Sequence, residues 1–217
     1  MTATAAALFA VAAVFAVGDW VAVAEASARL EYLCKPAATA ALVVAAITVD
    51  PVHADTRGWF VAALTLCLAG DVWLMLPTGA RGHDWFVPGL ASFLLAQLAF
   101  AIGFALHGGS AGSYALGAVL VLAVAVPLAT RFVRALVQGG QRALIGPVLA
   151  YLLAIAAMAT SAVAAANAWG VAGAALFLAS DALIAETRFV GPRRGAPVAI
   201  MVTYHLALAG LVASLAS

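Results

Sequence analysis

Residues 112–131 read GSYALGAVLVLAVAVPLATR, and no charged side chain appears until Arg131 closes the run. A helix rises 1.5 Å per residue, so about 20 apolar residues cover the roughly 30 Å of a bilayer's hydrocarbon. Ala, Leu and Val follow one another without the alternation of a barrel strand, which predicts a transmembrane helix. Dividing the chain at charges, Pro and Gly yields seven more such segments, approximately 2–18, 34–50, 58–77, 85–107, 143–166, 168–186 and 197–216. The sixth and seventh of the eight meet in a tight turn near Asn167. The expected fold is all-α: a single transmembrane domain over residues 1–217, an integral membrane bundle of eight transmembrane helices.

Composition points the same way. Of 217 residues, 66% are hydrophobic and only 9% charged, whereas a soluble domain carries about 25% charged residues to keep its surface hydrated. Lipid must therefore solvate most of this surface. A net charge of +1 supplies no basic face, so no nucleic-acid partner is expected. The first apolar run begins almost at Met1 without the basic leader of a cleaved signal peptide, and is expected to remain as the first helix. Cys34 and Cys67 have no framework spacing and read as small core residues.

The basic residues give direction. Arg29, Lys35, Arg81, Arg131, Arg134, Arg142, Arg188, Arg193 and Arg194 fall on the first, third, fifth and seventh connections or at their helix junctions, and Arg57 alone falls on the other side. The positive-inside rule then predicts cytoplasmic odd connections and two extracytoplasmic termini, in a bacterial cytoplasmic membrane. The chain also echoes itself at an offset of about 110 residues. Leu68-Ala69-Gly70-Asp71 returns as Leu178-Ala179-Ser180-Asp181, and Lys35-Pro36 opens the second span as Gly146-Pro147 opens the sixth. Two parallel four-helix halves, 1–110 and 111–217, would account for this.

An ionisable side chain in a span costs about 3 kcal/mol on insertion scales, so two at one depth ask for a reason. Asp71 and Asp181 each lie about six residues before the cytoplasmic end of their spans, roughly 9 Å inside the boundary. Thr39, Ser92, Gln97, Tyr151, Tyr204 and His205 reach the same layer from other helices, and Lys35 stands at its mouth. Trp20, Trp59, Trp85 and Trp169 read as interfacial belt residues, and Trp73 flanks Asp71. No run of His, Cys or acidic residues has metal-ligand spacing, so neither metal nor cofactor is expected. His53, His83 and His107 fall in connections or at helix ends. No nucleophile elbow or phosphate loop appears. A carboxyl pair remains, Asp71 and Asp181 as candidate catalytic residues, with Lys35, Thr39, Ser92, Gln97, Tyr151, Tyr204 and His205 as candidate substrate-binding residues. That set suits general acid–base chemistry.

At these residues the sequence resembles the YhhN/TMEM86 family of lysoplasmalogenase-like integral membrane proteins. The matching pieces are Lys35-Pro36, Gly70-Asp71-Val72-Trp73-Leu74-Met75-Leu76, Gly89 through Gln97, Pro147 with Tyr151, Gly173 through Asp181, and Tyr204-His205, in order along nearly the whole chain. Where the family often has His, this chain has Gln97, and where it has Gln after the Tyr-His pair, this chain has Ala207. The resemblance implies eight transmembrane helices and cleavage of the vinyl ether bond of a lysophospholipid substrate, a lysoplasmalogen, to a fatty aldehyde and a glycerophospho-alcohol.

The residue inventory suits that chemistry independently. A vinyl ether hydrolyses when its outer alkene carbon is protonated, leaving an oxocarbenium ion that water captures. One neutral carboxylic acid and one carboxylate serve such a reaction, as they do in glycosidases. Either aspartate can fill either role on sequence grounds, and Lys35 or His205 could meet the substrate phosphate. The alternative reading is a proton-coupled small-molecule or lipid transporter, since parallel repeats with intramembrane carboxyls also serve carriers.

Overall fold

A computed structural model describes residues 2–77 and 85–217. Arg81 and His83 lie outside the described residues. The described residues form eight α-helices and no strand: α1 Ala3–Ala24, α2 Ala28–Thr48, α3 Arg57–Met75, α4 Phe86–Ala105, α5 Ala111–Gln138, α6 Ile145–Ala164, α7 Ala168–Ala185 and α8 Ala196–Ala213. Each is long and apolar enough to cross a membrane. Caps mark the starts that the sequence places at small polar residues. The side chains of Thr2, Ser110 and Asn167 accept from Ala5, Ser113 and Gly170 backbone N–H groups, answering donors that an isolated helix start leaves open. Between α6 and α7, Ala166 adopts a left-handed φ of 54°. Asn167 then turns its amide onto the Ser214 and Ser217 carbonyls, which fixes the tight turn against the end of α8.

Three helix ends depart from the sequence reading, all for one reason. A helix does not stop where charge begins; its backbone bonds continue into the interface while long side chains reach water. So α1 runs to Ala24, carrying Asp19 inside the helix. Helix α5 continues past Arg131 to Gln138. Helix α2 starts at Ala28, so Lys35-Pro36 does not open it: Pro36 stands inside the helix, and Lys35 is buried there. Pro147, by contrast, does lie in the first turn of α6, where a missing N–H costs nothing.

Helix α8 occupies the middle, touching α1, α2, α3 and α7, while α1–α2–α3–α4–α6–α7 pack in sequence around it. Helix α5 stands outside against α6. Small residues permit this closeness. A Cβ on Gly173 would lie 2.9 Å from both the Ala207 carbonyl oxygen and the Leu211 nitrogen, so α7 and α8 meet backbone to backbone. Beyond α7 the chain makes one π turn, Glu186–Val190. Glu186 is clamped there by Arg131, whose Nε and Nη2 donate at 2.7 and 2.6 Å, and by Arg193 at 2.6 Å. This pins the end of α7 to α5 and to the loop before α8, giving two of the arginines used for orientation a structural task as well.

Candidate active site

Helix α3 delivers Asp71 one turn before its end. Lys35 and Thr39 stand one turn apart on α2, hence on one face, and both point at this carboxyl. Thr39 Oγ1 donates to Asp71 Oδ2 at 2.8 Å, and Tyr204 OH, from α8, donates to the same oxygen at 2.8 Å. Lys35 Nζ lies 3.7 Å from Oδ1, with both side chains shut away from solvent. Two neutral donors and one cation converge on a single carboxyl, an arrangement built to hold negative charge.

Asp181 is served differently. It lies one turn before the end of α7, and its Oδ2 accepts from the Tyr151 phenol of α6. No cation pairs with it among the described residues. The Asp181 and Tyr151 side chains line an apolar cavity whose other walls include Leu90, Phe93, Val148 and Phe189. Phe86 and Phe189 meet edge to face with centroids 6.2 Å apart, and the Arg188 guanidinium sits 3.7 Å over the Phe86 ring. All these elements present their ends on the membrane face that carries Arg131, Arg193 and Arg194. A chain lying in this cavity would have hydrocarbon around it, one carboxyl on its wall and basic residues at its end.

The two aspartates do not share that lining. Asp71 and Tyr204 lie behind Phe93, whose ring lines the cavity and meets the Tyr204 ring at 5.9 Å. Gly70 makes this possible, because a Cβ there would fall 2.6 Å from Phe93. Cys67, one turn before Asp71, is a buried free thiol. The structure thus forms two adjacent clusters, one charged and enclosed, the other open to an apolar cavity.

Of the remaining expected residues, Ser92 donates to the Leu66 carbonyl at 2.7 Å and ties α4 to α3. Gln97 is fully buried with neither amide atom hydrogen-bonded. His205 turns away from both carboxyls toward α1, where its Nδ1 accepts from Trp20 Nε1 at 3.1 Å. Trp20 is therefore no simple belt residue. Trp73 stacks on Trp85 at 5.2 Å. Sequence reasoning missed Asp19, which is fully buried with both oxygens unpartnered. Division of the chain at charges leaves it outside the first span, whereas α1 carries it.

A sequence model of the YhhN family matches residues 30–215. A protein of Mycobacterium bovis named lysoplasmalogenase is 35% identical over 175 residues, covering 79% of this chain and 65% of its own length. A Mycobacterium tuberculosis protein of the same name matches equally. The human protein named lysoplasmalogenase TMEM86B is 31% identical over 176 residues, 70% of this chain and 74% of its own. The match to the mycobacterial relatives thus spans just under two thirds of their length. No solved structure matches at a significant level.

Proposed function

The chain belongs to the YhhN family, and from that premise we propose that it is a membrane-embedded hydrolase that cleaves the vinyl ether bond of lysoplasmalogens. The observation that carries the reading is the contrast between the two carboxyls: Asp71 enclosed with Lys35 and two hydroxyl donors, Asp181 on the wall of an apolar cavity with one phenol and, among the described residues, no cation. Burying an unpaired charge in hydrocarbon is costly, so a carboxyl placed like Asp181 is suited to carry a proton rather than a charge. Its Oδ2 is occupied by Tyr151, leaving Oδ1 as the proton-bearing atom.

In the proposed cycle the alkenyl chain lies in the cavity and Asp181 Oδ1 gives its proton to the outer alkene carbon. The ether-bearing carbon becomes an oxocarbenium centre beside the new carboxylate. Water adds to that carbon and returns a proton to Asp181, and the resulting hemiacetal collapses to aldehyde and glycerophospho-alcohol. One proton is lent and recovered, so the carboxyl ends the cycle as it began. Asp71 supplies fixed negative charge behind the Phe93–Tyr204 pair, favouring the cation as it forms. Lys35, committed to Asp71, is assigned to that charge and not to the substrate. The basic residues of this face, among them Arg188 over the Phe86 ring of the cavity wall, are assigned to the phosphate.

Mass spectrometry of products from purified protein given 1-alkenyl and 1-acyl lysophospholipids side by side tests the reading. Aldehyde from the alkenyl lipid is expected. Fatty acid from the acyl lipid alone would make the protein an esterase, and no product with either, alongside uptake by vesicles, would favour transport.

The same reading puts both termini outside and the cavity's mouth at the cytoplasmic face, because nine of the ten basic residues in the sequence fall on that side. Single cysteines placed at Ser217 and Arg193, in a background lacking Cys34 and Cys67, are expected to be labelled in intact cells from outside at the first position only. Outside labelling at position 193 would invert the topology.

A further inference from the structure

We propose that the groove between α5 and the π turn binds an anionic phospholipid of the bilayer, its phosphodiester between Arg131 and Arg134 and one chain running past Pro127 and Val126. The site lies apart from the reaction proposed above and does not depend on it. The two places share no lining residue: Phe189 lines the Asp181 cavity, and the next residue, Val190, lines the groove.

Helix α5 has 28 residues, about 42 Å at 1.5 Å per residue, against roughly 30 Å of hydrocarbon in a bilayer. About 20 residues from Ala111 span the apolar layer, so the turns from Arg131 to Gln138 stand at headgroup depth. Pro127, Arg131, Arg134 and Gln138 recur at the spacing of one helix face. All four line the groove, with Val126 beside Pro127 and Val190 on the other wall. The groove measures about 540 Å3, the size of an ordinary ligand cleft. Its deeper end is apolar and its shallower end basic, the order in which a phospholipid presents chain and phosphate.

Both arginines have donors to give. Arg134 is exposed and makes no hydrogen bond or ion pair among the described residues. Arg131 commits Nε and Nη2 to Glu186, which leaves Nη1, and its side chain is still 49% exposed. A guanidinium carries five N–H donors, so both side chains can grip one phosphate without undoing the Glu186 clamp. The charge of the headgroup follows from the acids nearby. Segments 126–146 and 186–196 hold six arginines and a single acid, Glu186. Both of its oxygens are taken, Oε2 by Arg131 and Oε1 by Arg131 and Arg193. The ammonium of a zwitterionic lipid would therefore meet arginines and no open carboxylate in these segments. A phosphodiester without an ammonium fits, and only one carrying a chain also covers Val126 and Pro127.

The test is photo-crosslinking of the purified full chain in phosphatidylcholine nanodiscs. The trace probe is phosphatidylglycerol or phosphatidylcholine with a diazirine in one chain. Phosphatidylglycerol is expected to label α5 around Val126–Thr130 at least about fivefold more than phosphatidylcholine, the scale of one arginine's attraction to anionic lipid. That preference should shrink as salt rises. Arg134→Gln, which removes no contact within the described fold, should lower it about fivefold, whereas Arg134→Lys keeps the charge and should retain most of it. Val126→Trp, at a position 55% exposed, should obstruct the chain and reduce α5 labelling. Inorganic phosphate added at constant ionic strength should leave the labelling unchanged. Equal labelling of α5 by the two probes, a preference untouched by Arg134→Gln, displacement by inorganic phosphate, or phosphatidylglycerol label confined to the Asp181 cavity each overturns the proposal.

Discussion

Asp181→Asn is expected to insert and fold as the wild type does, yet to release aldehyde from a 1-alkenyl lysophospholipid at least about a hundredfold more slowly, the usual scale of a general acid's contribution. The amide keeps the shape of the carboxyl and its oxygen still accepts from Tyr151, so the α6–α7 contact survives. What it loses is a carboxylic proton to give and a carboxylate to take one back. The described cavity walls are apolar apart from Tyr151 and Asp181, so among the described residues no other carboxylic acid stands ready to replace it. If Asp181 served only to join helices, the substitution would be nearly silent, because a neutral amide is cheaper to bury than a charge. The measurement is turnover by aldehyde detection, on protein whose thermal unfolding midpoint matches the wild type. Near-normal turnover in folded Asp181→Asn would remove this aspartate from the mechanism.

The reasons some of this was legible in the sequence, and some not, differ in kind. Eight spans are visible because lipid demands long uncharged helices and leaves few alternatives. Asp71, Asp181, Tyr151, Tyr204 and Thr39 stand out for the same reason reversed, as polar groups where hydrocarbon is expected. Their partners are another matter. These helices are apolar all round, so no amphipathic stripe tells which side of each faces protein and which faces lipid. Nothing in the spacing shows that Phe93 lines the Asp181 cavity and packs on Tyr204, or that His205 turns to Trp20 while its neighbour Tyr204 turns to Asp71. Helix ends were obscured by the charges themselves. By sequence Lys35 reads as a guard at a helix mouth, yet it lies well inside α2, and division at charges leaves Asp19 outside the span that in fact carries it. In both cases the residue that broke the apolar pattern was a buried group.

Lys35→Met is expected to be the most destabilising single change at the site, and its rescue separates charge from shape at Asp71. Removing the cation leaves a carboxyl whose side chain is 1% exposed without the counter-charge that Lys35 supplies, and breaking one side of a buried pair costs about 3–5 kcal/mol. Asp71→Asn should cost less. The orphaned Lys35 ammonium sits on a flexible four-carbon stem that can turn away from the amide, while Thr39 and Tyr204 still find an amide oxygen to donate to. The double variant, Lys35→Met with Asp71→Asn, removes both charges together and should regain most of the stability lost in Lys35→Met, read as the thermal unfolding midpoint in detergent. Activity should not return with it. If Asp71 lends negative charge to the oxocarbenium centre, the refolded double variant still lacks that charge and turns over as poorly as Asp71→Asn alone. Joining Asp71→Asn to Asp181→Asn should then cost less than the product of the two single losses, because groups acting on one transition state are not additive. Recovery of both fold and turnover in the double variant would make the Lys35–Asp71 pair a structural brace and leave Asp181 to carry the chemistry alone.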